Sequence, residues 1–209
     1  MIRNYTKLPA SFYEGDDVVK LARQLIGKLL ITDRDGGRCS GRIIETEAYN
    51  GITDKASHAF GGRRTARTEI MYAHGGVAYV YLCYGIHHLF NVVTNSRDIP
   101  HAILVRAIEP IEGMNIMMQR LGASTLKFSA GSGPGKVTKA LGISVKDSGF
   151  SLSSDQLFIA DDGFVPMNII ATPRIGVDYA GADAALPYRF VVADHPAISA
   201  KSFTKKFIA

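Results

Sequence analysis

The stretch GRIIETEAYNGITDKASHAF, residues 41–60, decides the fold prediction and raises the question of function. Its first half follows the turn residues DRDGG and has the composition of a β-strand. In a strand, Glu45, Glu47 and Tyr49 point to one face, because successive side chains alternate. A strand that only packs needs neither two carboxylates nor His58, eleven residues after the second one. Such a face either activates water beside a flat aromatic ligand or is solvated, and the spacing leaves both open.

The composition is that of a globular protein with one core. The chain has 209 residues, of which 46% are hydrophobic, and we expect residues 1–209 to form a single domain. A net charge of +5 favours a polyanionic partner such as nucleic acid without requiring one. Two cysteines, Cys39 and Cys83, allow at most one disulfide. MIRNYTKLPASFYEG lacks the apolar segment of a signal peptide, and the longest apolar runs are too short to span a bilayer. We therefore expect a cytoplasmic protein without a membrane partner.

Apolar periodicity predicts an α+β domain on a curved, mostly antiparallel sheet with flanking helices. A helix is predicted in DDVVKLARQLIGKLLI, capped by Asp16 or Asp17 and ended by Gly27. GVAYVYLCYGIHHLFNVVTN indicates two strands with a bend at Gly85, and HAILVRAIEP a strand that stops at Pro110. Strands do not alternate with long helices, which argues against a doubly wound sheet. The apolar face of the first helix is expected to comprise Val18, Leu21, Leu25 and Leu29.

Aromatic and basic segments follow the first strand. AYVYLCYG places Tyr79 and Tyr81 on one face and Tyr84 at the strand end, before the glycine. These rings suit ordinary sheet packing, or they sandwich a flat base while the last one enters a base stack. GGRRTART puts three arginines on a glycine-rich loop, which is either a phosphate clamp or a solvated loop. These are Arg63, Arg64 and Arg67.

Two further patterns argue against common cofactor and metal sites. GSGPGKV is not a P-loop, because three residues rather than four separate Gly131 from the Gly-Lys pair, and no Ser or Thr follows. Backbone N–H groups at a helix start beside Lys136 can still hold one phosphate. His87 and His88 face opposite sides of a strand, and neither CxxC nor HExxH occurs. We predict no metal and no cofactor.

In chain order, the motifs are ETEAY, the later histidine, GGRRTAR, YVYLCYG, NVVT, LVRAIEP, GSGPGKVTKALGI and PRIGV. This series resembles the alkyladenine (3-methyladenine) DNA glycosylase family, from about Tyr13 to about Phe190. The resemblance implies a monofunctional, monomeric enzyme of base excision repair whose partner is double-stranded DNA containing damaged purines. Such an enzyme flips alkylated or deaminated purines, such as 3-methyladenine, 7-methylguanine, hypoxanthine or ethenoadenine, out of the duplex. It hydrolyses the N-glycosidic bond and leaves an abasic site.

The resemblance also implies roles for individual residues. Glu47 matches the general base that activates water, Arg106 matches a residue that holds this water, and the main-chain carbonyl of Ile175 is its third contact. Tyr84 matches the side chain that enters the duplex where the nucleotide has left. The residues that match the base pocket are Tyr49, His58, Tyr81 and Asn91. The predicted DNA-binding residues are Arg63, Arg64, Arg67, Tyr79, Gly133 and Lys136.

The sequence departs from the family pattern at Thr68, where members often carry Asn, and at Ala78, which replaces a larger apolar residue. The resemblance therefore supports the core assignment but does not extend to loop contacts to DNA or to the choice among lesions. Three rival functions are a non-catalytic damage binder, a helix-hairpin-helix glycosylase suggested by GPGK, and an RNA-binding or RNA-modifying module. The helix-hairpin-helix class expects helices around the hairpin, whereas strands dominate here.

Overall fold

The computed structural model describes residues 4–34, 36–125 and 127–208. Within these ranges, nine strands form one open sheet whose pairings are all antiparallel. The predicted α+β class is confirmed, and the single-domain assignment stays a prediction. The strands are β1 (Thr6–Lys7), β2 (Leu29–Arg34), β3 (Gly37–Tyr49), β4 (Ala78–Cys83), β5 (His87–Thr94), β6 (His101–Glu112), β7 (Leu157–Asp161), β8 (Ile169–Thr172) and β9 (Arg189–Val192). The α-helices are α1 (Ala10–Tyr13), α2 (Val18–Leu25), α3 (Met114–Leu121), α4 (Pro134–Leu141) and α5 (Lys201–Thr204).

The sheet places its two longest strands at the centre. The strand order is β1-β7-β2-β3-β6-β5-β4, while β9 pairs with β3 and β8 pairs with β9. The main apolar core contains α2, α4 and the sheet residues that face them. Thr46 on β3 donates to the Ala22 carbonyl of α2 at 2.8 Å, so this face of β3 is covered by the helix. No helix among the described residues is both long and apolar enough to cross a bilayer.

Helix α2 is shorter than the sequence pattern predicted. Asp17 is the cap, because its carboxylate accepts from the Lys20 N–H at 2.9 Å. The helix ends at Leu25, and Gly27 adopts a φ of 91°, which turns the chain into the sheet. Leu29 therefore lies in β2, and its predicted place on the helix is wrong. Its apolar side chain fits the helical spacing and a buried strand equally well, so spacing could not separate the two.

Pro110 does not end its strand, in contrast to the prediction. Strand β6 continues to Glu112, and Pro110 pairs with Gly41 next to a register shift in β3. On the other side, β5 pairs with β6 only through residues 101–104. Pro110 is therefore at a bulge, where a strand tolerates the missing N–H.

Candidate active site

Glu47 is a buried carboxylate held by three donors. It is 0% exposed. Its oxygens accept from the Tyr49 hydroxyl at 2.8 Å, the Ile175 N–H at 2.7 Å and Arg106 Nη1 at 3.3 Å. The structure thus brings together the three residues predicted to be catalytic, and it adds Tyr49. Ile175 makes this contact through its N–H, so the role of its carbonyl stays a prediction.

Glu45 is buried as well, which excludes a solvated strand face. It is 0% exposed and lies where the pairing between β3 and β6 is irregular, with β9 on the other side. Its carboxylate accepts from Arg106 Nε at 3.0 Å and from Arg189 Nε at 2.7 Å. Arg106 contacts Glu45 and Glu47, as expected if both carboxylates lie on the strand face opposite α2. Two carboxylates can be buried inside the sheet because the arginines compensate their charges.

Arg106 uses each guanidinium nitrogen for a different partner. Besides its contacts to Glu45 and Glu47, its Nη2 donates to the Ser199 hydroxyl at 3.3 Å. Burial by itself would lower the pKa of Arg106, but Glu47 and Glu45 outweigh burial and raise the pKa. The guanidinium therefore remains a fixed cation beside Glu47.

A cavity of about 430 Å³ opens next to this cluster. Its volume lies within the range of small-molecule sites. Tyr49, Arg106 and Ile175 line it, and Glu47 lies directly behind them. The four residues predicted to form the base pocket all line this cavity: Tyr49, His58, Tyr81 and Asn91.

Tyr49 and Tyr81, the two tyrosines of the predicted base pocket, belong to different apolar clusters. Tyr49 packs with the cluster that contains Val177, whereas Tyr81 packs with the cluster that contains Met71 and Tyr79. Burial first, and then the charge of Glu47, raises the pKa of Tyr49 well above its ordinary value. Its hydroxyl stays protonated and donates to Glu47, which fixes the orientation of the ring.

His58 is a neutral wall of the cavity. Its Nδ1 lies 2.9 Å from the Tyr79 hydroxyl, and its ring is 4.7 Å from the Tyr81 ring. Arg67 approaches His58 Nε2 at 3.1 Å and stacks 4.8 Å over the Tyr81 ring. Burial, followed by the charges of Arg67 and Arg63, lowers the pKa of His58 to about 4. At neutral pH this imidazole is therefore uncharged.

Asn91 is anchored through its amide nitrogen. Its Nδ2 donates to the Tyr79 carbonyl at 3.1 Å and to the Leu89 carbonyl at 3.4 Å. The acceptor Oδ1 is then the group left for a ligand in the cavity that Asn91 lines. Tyr79 itself is 2% exposed, so its contacts are to His58 and Asn91 on the cavity wall.

Tyr84 stands at the tip of the β4–β5 hairpin. Its φ is 51° and that of Gly85 is 74°, and the Ile86 N–H donates to the Cys83 carbonyl at 3.1 Å. Positive φ at both central residues is typical of a type I′ turn, and the bend predicted at Gly85 is confirmed. Tyr84 is 90% exposed and also contributes to the cavity rim. An aromatic ring is thus presented to solvent beside the opening.

The arginines of the GGRRTART loop differ in their partners. Arg64 bonds Glu69 at 2.7 Å and Asp98 at 2.9 Å, so it is engaged by carboxylates. Arg67 lies over the cavity wall, and Arg63 is exposed. A neighbouring groove of about 690 Å³ shares Arg67 with the cavity and also carries Arg64 and Arg97. DNA binding by this loop stays a prediction.

The glycine-rich segment forms the start of α4. Gly133 precedes the helix with a φ of 108°, and Lys136 is exposed and donates to the Ser129 carbonyl at 3.2 Å. Phosphate binding there stays a prediction. Among the described residues, no group of three or more His, Cys, Asp or Glu is placed to hold a metal ion, and both cysteines are free thiols.

Sequence reasoning missed three residues that support the site. Arg174 donates to the Ala48 carbonyl at 2.9 Å and stacks 4.9 Å from the Tyr49 ring. Arg189 and Ser199 contact Glu45. An arginine between apolar residues, as in YRFVV, is a usable signal, because such a residue requires a buried carboxylate partner.

Comparison with known proteins identifies the family of the chain. Residues 11–196 match the family model described as "Methylpurine-DNA glycosylase (MPG)". The protein is thus a DNA glycosylase, a hydrolase that acts on N-glycosyl bonds in DNA repair. More narrowly, the chain belongs to the methylpurine-DNA glycosylase family.

Three relatives illustrate the extent of the similarity, and each is named "Putative 3-methyladenine DNA glycosylase". The protein of Chlamydia abortus is 49% identical over 186 residues, which cover 88% of this chain and 97% of the relative. That of Bacillus cereus (strain G9842) is 44% identical over 92% of this chain and 98% of the relative. That of Desulfitobacterium hafniense is 39% identical over 93% and 99%. The family and the antiparallel sheet together exclude the helix-hairpin-helix class, and the family favours DNA over RNA.

Proposed function

We propose that this protein flips a damaged purine nucleotide out of duplex DNA into the cavity and hydrolyses its N-glycosidic bond with water activated by Glu47. One observation carries the proposal. The Glu47 carboxylate is fully buried, is fixed by three donors, and lies directly behind the wall of an aromatic cavity. The charge of Arg106 and the N–H of Ile175 hold the carboxylate in one orientation, which is what a positioned general base needs.

In the proposed step, the bond between C1′ and the purine nitrogen breaks, and its electron pair leaves with the base. A water oxygen bonds to C1′ while Glu47 takes the proton of that water. The products are the free base and an abasic site. No side chain forms a covalent bond to the sugar, so strand cleavage is not part of the reaction.

The tyrosine rings that line the cavity favour cationic purines as substrates. Alkylation at N3 or N7 makes a purine cationic, and tyrosine faces attract cations by roughly 0.5–2 kcal/mol. A cationic base is also a good leaving group without further protonation. A neutral base such as hypoxanthine must gain a proton as it leaves, and His58, with its pKa lowered to about 4, is a poor proton donor at pH 7. We therefore propose that 3-methyladenine and 7-methylguanine are released faster than hypoxanthine or ethenoadenine.

Tyr84 supports the base-flipping step. A flipped nucleotide leaves a gap in the stack, and flipping costs a few kcal/mol. The exposed ring at the hairpin tip, beside the cavity rim, is suited to fill this gap as an aromatic wedge. We propose that a single copy of the chain binds the damaged duplex in this way.

Single-turnover release of the base tests the proposal. The duplexes contain one 7-methylguanine, 3-methyladenine, hypoxanthine or ethenoadenine, and EDTA is present throughout. We expect release from the two alkylated duplexes to be fastest and an undamaged duplex to stay intact. An enzyme that binds all four lesions and releases none of them would instead be a non-catalytic damage binder. Structured RNA that competes as well as lesion duplex would contradict DNA as the partner.

A further inference from the structure

A second layer of buried polar groups lies behind Arg106 and is not used by the proposed step. Its centre is Glu45, whose Oε1 accepts from Arg106 Nε at 3.0 Å and from Arg189 Nε at 2.7 Å. The same oxygen accepts from the Ser199 hydroxyl at 2.7 Å, and Oε2 accepts from the Ser199 N–H at 2.7 Å. All four residues are at most 8% exposed. Hydrogen bonds, rather than solvent, therefore determine the geometry of this layer.

Ser199 is the member of this layer that comes from the C-terminal segment, which we define as residues 197–204. The segment is fixed at several points beyond Glu45. Arg189 Nη2 donates to the Ser199 carbonyl at 3.2 Å and to the Thr204 hydroxyl at 2.9 Å. Ser132, before α4, donates to the Ile198 carbonyl at 2.9 Å. The family match ends at residue 196, so the segment lies outside it, whereas its partners Ser132 and Arg189 lie within it.

The Ser199 hydroxyl joins the two layers. It donates to Glu45 at 2.7 Å and accepts from Arg106 Nη2 at 3.3 Å. Arg106 is then held on three sides: by Glu45 at Nε, by Ser199 at Nη2 and by Glu47 at Nη1. Without the hydroxyl, Nη2 has no partner in this layer, and only the contacts at Nε and Nη1 restrain the planar guanidinium against rotation about the Cδ–Nε bond, which would move Nη1 away from Glu47.

We propose that Ser199, carried by the C-terminal segment, is a positioning residue that orients Arg106 towards Glu47. The inference rests on the proposed function, because it assigns Arg106 and Glu47 to the reacting side of the site. Ser199 is not among the residues that line the cavity. Its effect reaches the chemistry only through Arg106.

The test compares Ser199→Ala with Thr204→Val. Both variants remove one hydroxyl from the same segment, but Thr204 contacts Arg189 and not Arg106. Ser199→Ala remains folded, because Glu45 keeps the Ser199 N–H and both arginines as donors. We expect Ser199→Ala to slow single-turnover release of 7-methylguanine about 10-fold, which is less than the roughly 100-fold cost of a full 1 Å misplacement, because Glu45 still holds Arg106 at Nε. Lesion-duplex affinity should stay within about two-fold in both variants, because both residues are buried and neither lines the cavity. The release rate of Thr204→Val should also stay within about two-fold of wild type.

The Nε–H signals of the arginines give a readout that a merely structural role would not move. The spectrum of Arg106→Lys identifies the Arg106 signal by its loss. Ser199→Ala should speed the exchange of the Arg106 Nε–H with water. It should also broaden the Nη signals of Arg106, because Nη2 has lost its acceptor. Thr204→Val should change the Arg189 signal instead. Such a result would show that the Ser199 hydroxyl restrains Arg106, whereas the Thr204 hydroxyl restrains Arg189.

Three results would overturn the inference: an unchanged release rate in Ser199→Ala, an equal loss in Thr204→Val, or an unaltered Arg106 signal in Ser199→Ala. Failure of the proposed function has a different signature. Glu47→Gln would then release base as fast as wild type, whatever the two hydroxyl variants do.

Discussion

Tyr84 combines a strained backbone with an unpacked side chain, so one substitution should change stability and binding in opposite directions. Its φ of 51° lies in the left-handed region, which costs an L-residue about 1–2 kcal/mol. Because the residue is 90% exposed, packing offsets little of this cost. Glycine removes the strain, while its greater freedom in the unfolded chain costs about 0.4–1 kcal/mol. Tyr84→Gly should therefore raise the free energy of unfolding by about 0.5–1 kcal/mol.

The same substitution should weaken binding to a lesion duplex. Stacking between an aromatic side chain and a base contributes about 1–3 kcal/mol. Loss of the ring then corresponds to a roughly 5- to 150-fold higher Kd. A stabilised protein that binds its lesion less well would show that the strain at Tyr84 is retained for DNA binding.

Tyr84→Ala is the matched control, because it removes the ring and keeps a Cβ at positive φ. It should lose the same affinity without the gain in stability. Urea unfolding measures the free energy of unfolding, and fluorescence anisotropy with a duplex containing a non-hydrolysable lesion analogue measures Kd. Unchanged affinity in both variants would refute the wedge, and a lower stability of Tyr84→Gly than of Tyr84→Ala would refute the strain.

Three further predictions concern stability. Asp54→Asn removes the carboxylate partner of the buried Arg174 and should lower the free energy of unfolding by about 3–5 kcal/mol in urea titrations. Gly27→Ala should cost about 1–2 kcal/mol, because φ is 91° and the new Cβ would lie 2.7 Å from Pro166; an unchanged urea midpoint would contradict this. The pKa of His58 is lowered to about 4 in the folded protein, so the unfolded chain binds the extra proton first. Stability should fall as the pH drops from about 6.5 towards 4, and His58→Gln should reduce this slope in pH-dependent thermal unfolding.

Structural features that depend on residues close together in the sequence could be predicted from local patterns. The common face of Glu47 and Tyr49 follows from alternation within one strand, and the structure joins their side chains by a hydrogen bond. The turn at Tyr84 and Gly85 follows from the glycine alone. The order of the motifs indicated the family, and the family resemblance then predicted which residues line the cavity. Composition alone could not have predicted them.

Structural features that depend on contacts between residues far apart in the sequence could not be predicted. Burial of Glu45 depends on Ser199, which is 154 residues away, and on Arg189 in a strand whose pairing partner the sequence does not reveal. Leu29 satisfies both helical and strand spacing, and the turn at Gly27 decides between them. In each case the deciding partner lies elsewhere in the fold, so the local sequence is compatible with two outcomes.

The central claim is that the buried Glu47 carboxylate activates water. Glu47→Gln tests it most directly when single-turnover release of 7-methylguanine and affinity for the same duplex are measured together. Glu112→Gln, the same chemical change elsewhere on the sheet, is the control. We expect Glu47→Gln to slow release about 10²–10⁴-fold and to keep lesion binding, whereas Glu112→Gln should behave as wild type. A Glu47→Gln enzyme that releases base within a few-fold of the wild-type rate would contradict the assignment of Glu47 as the general base.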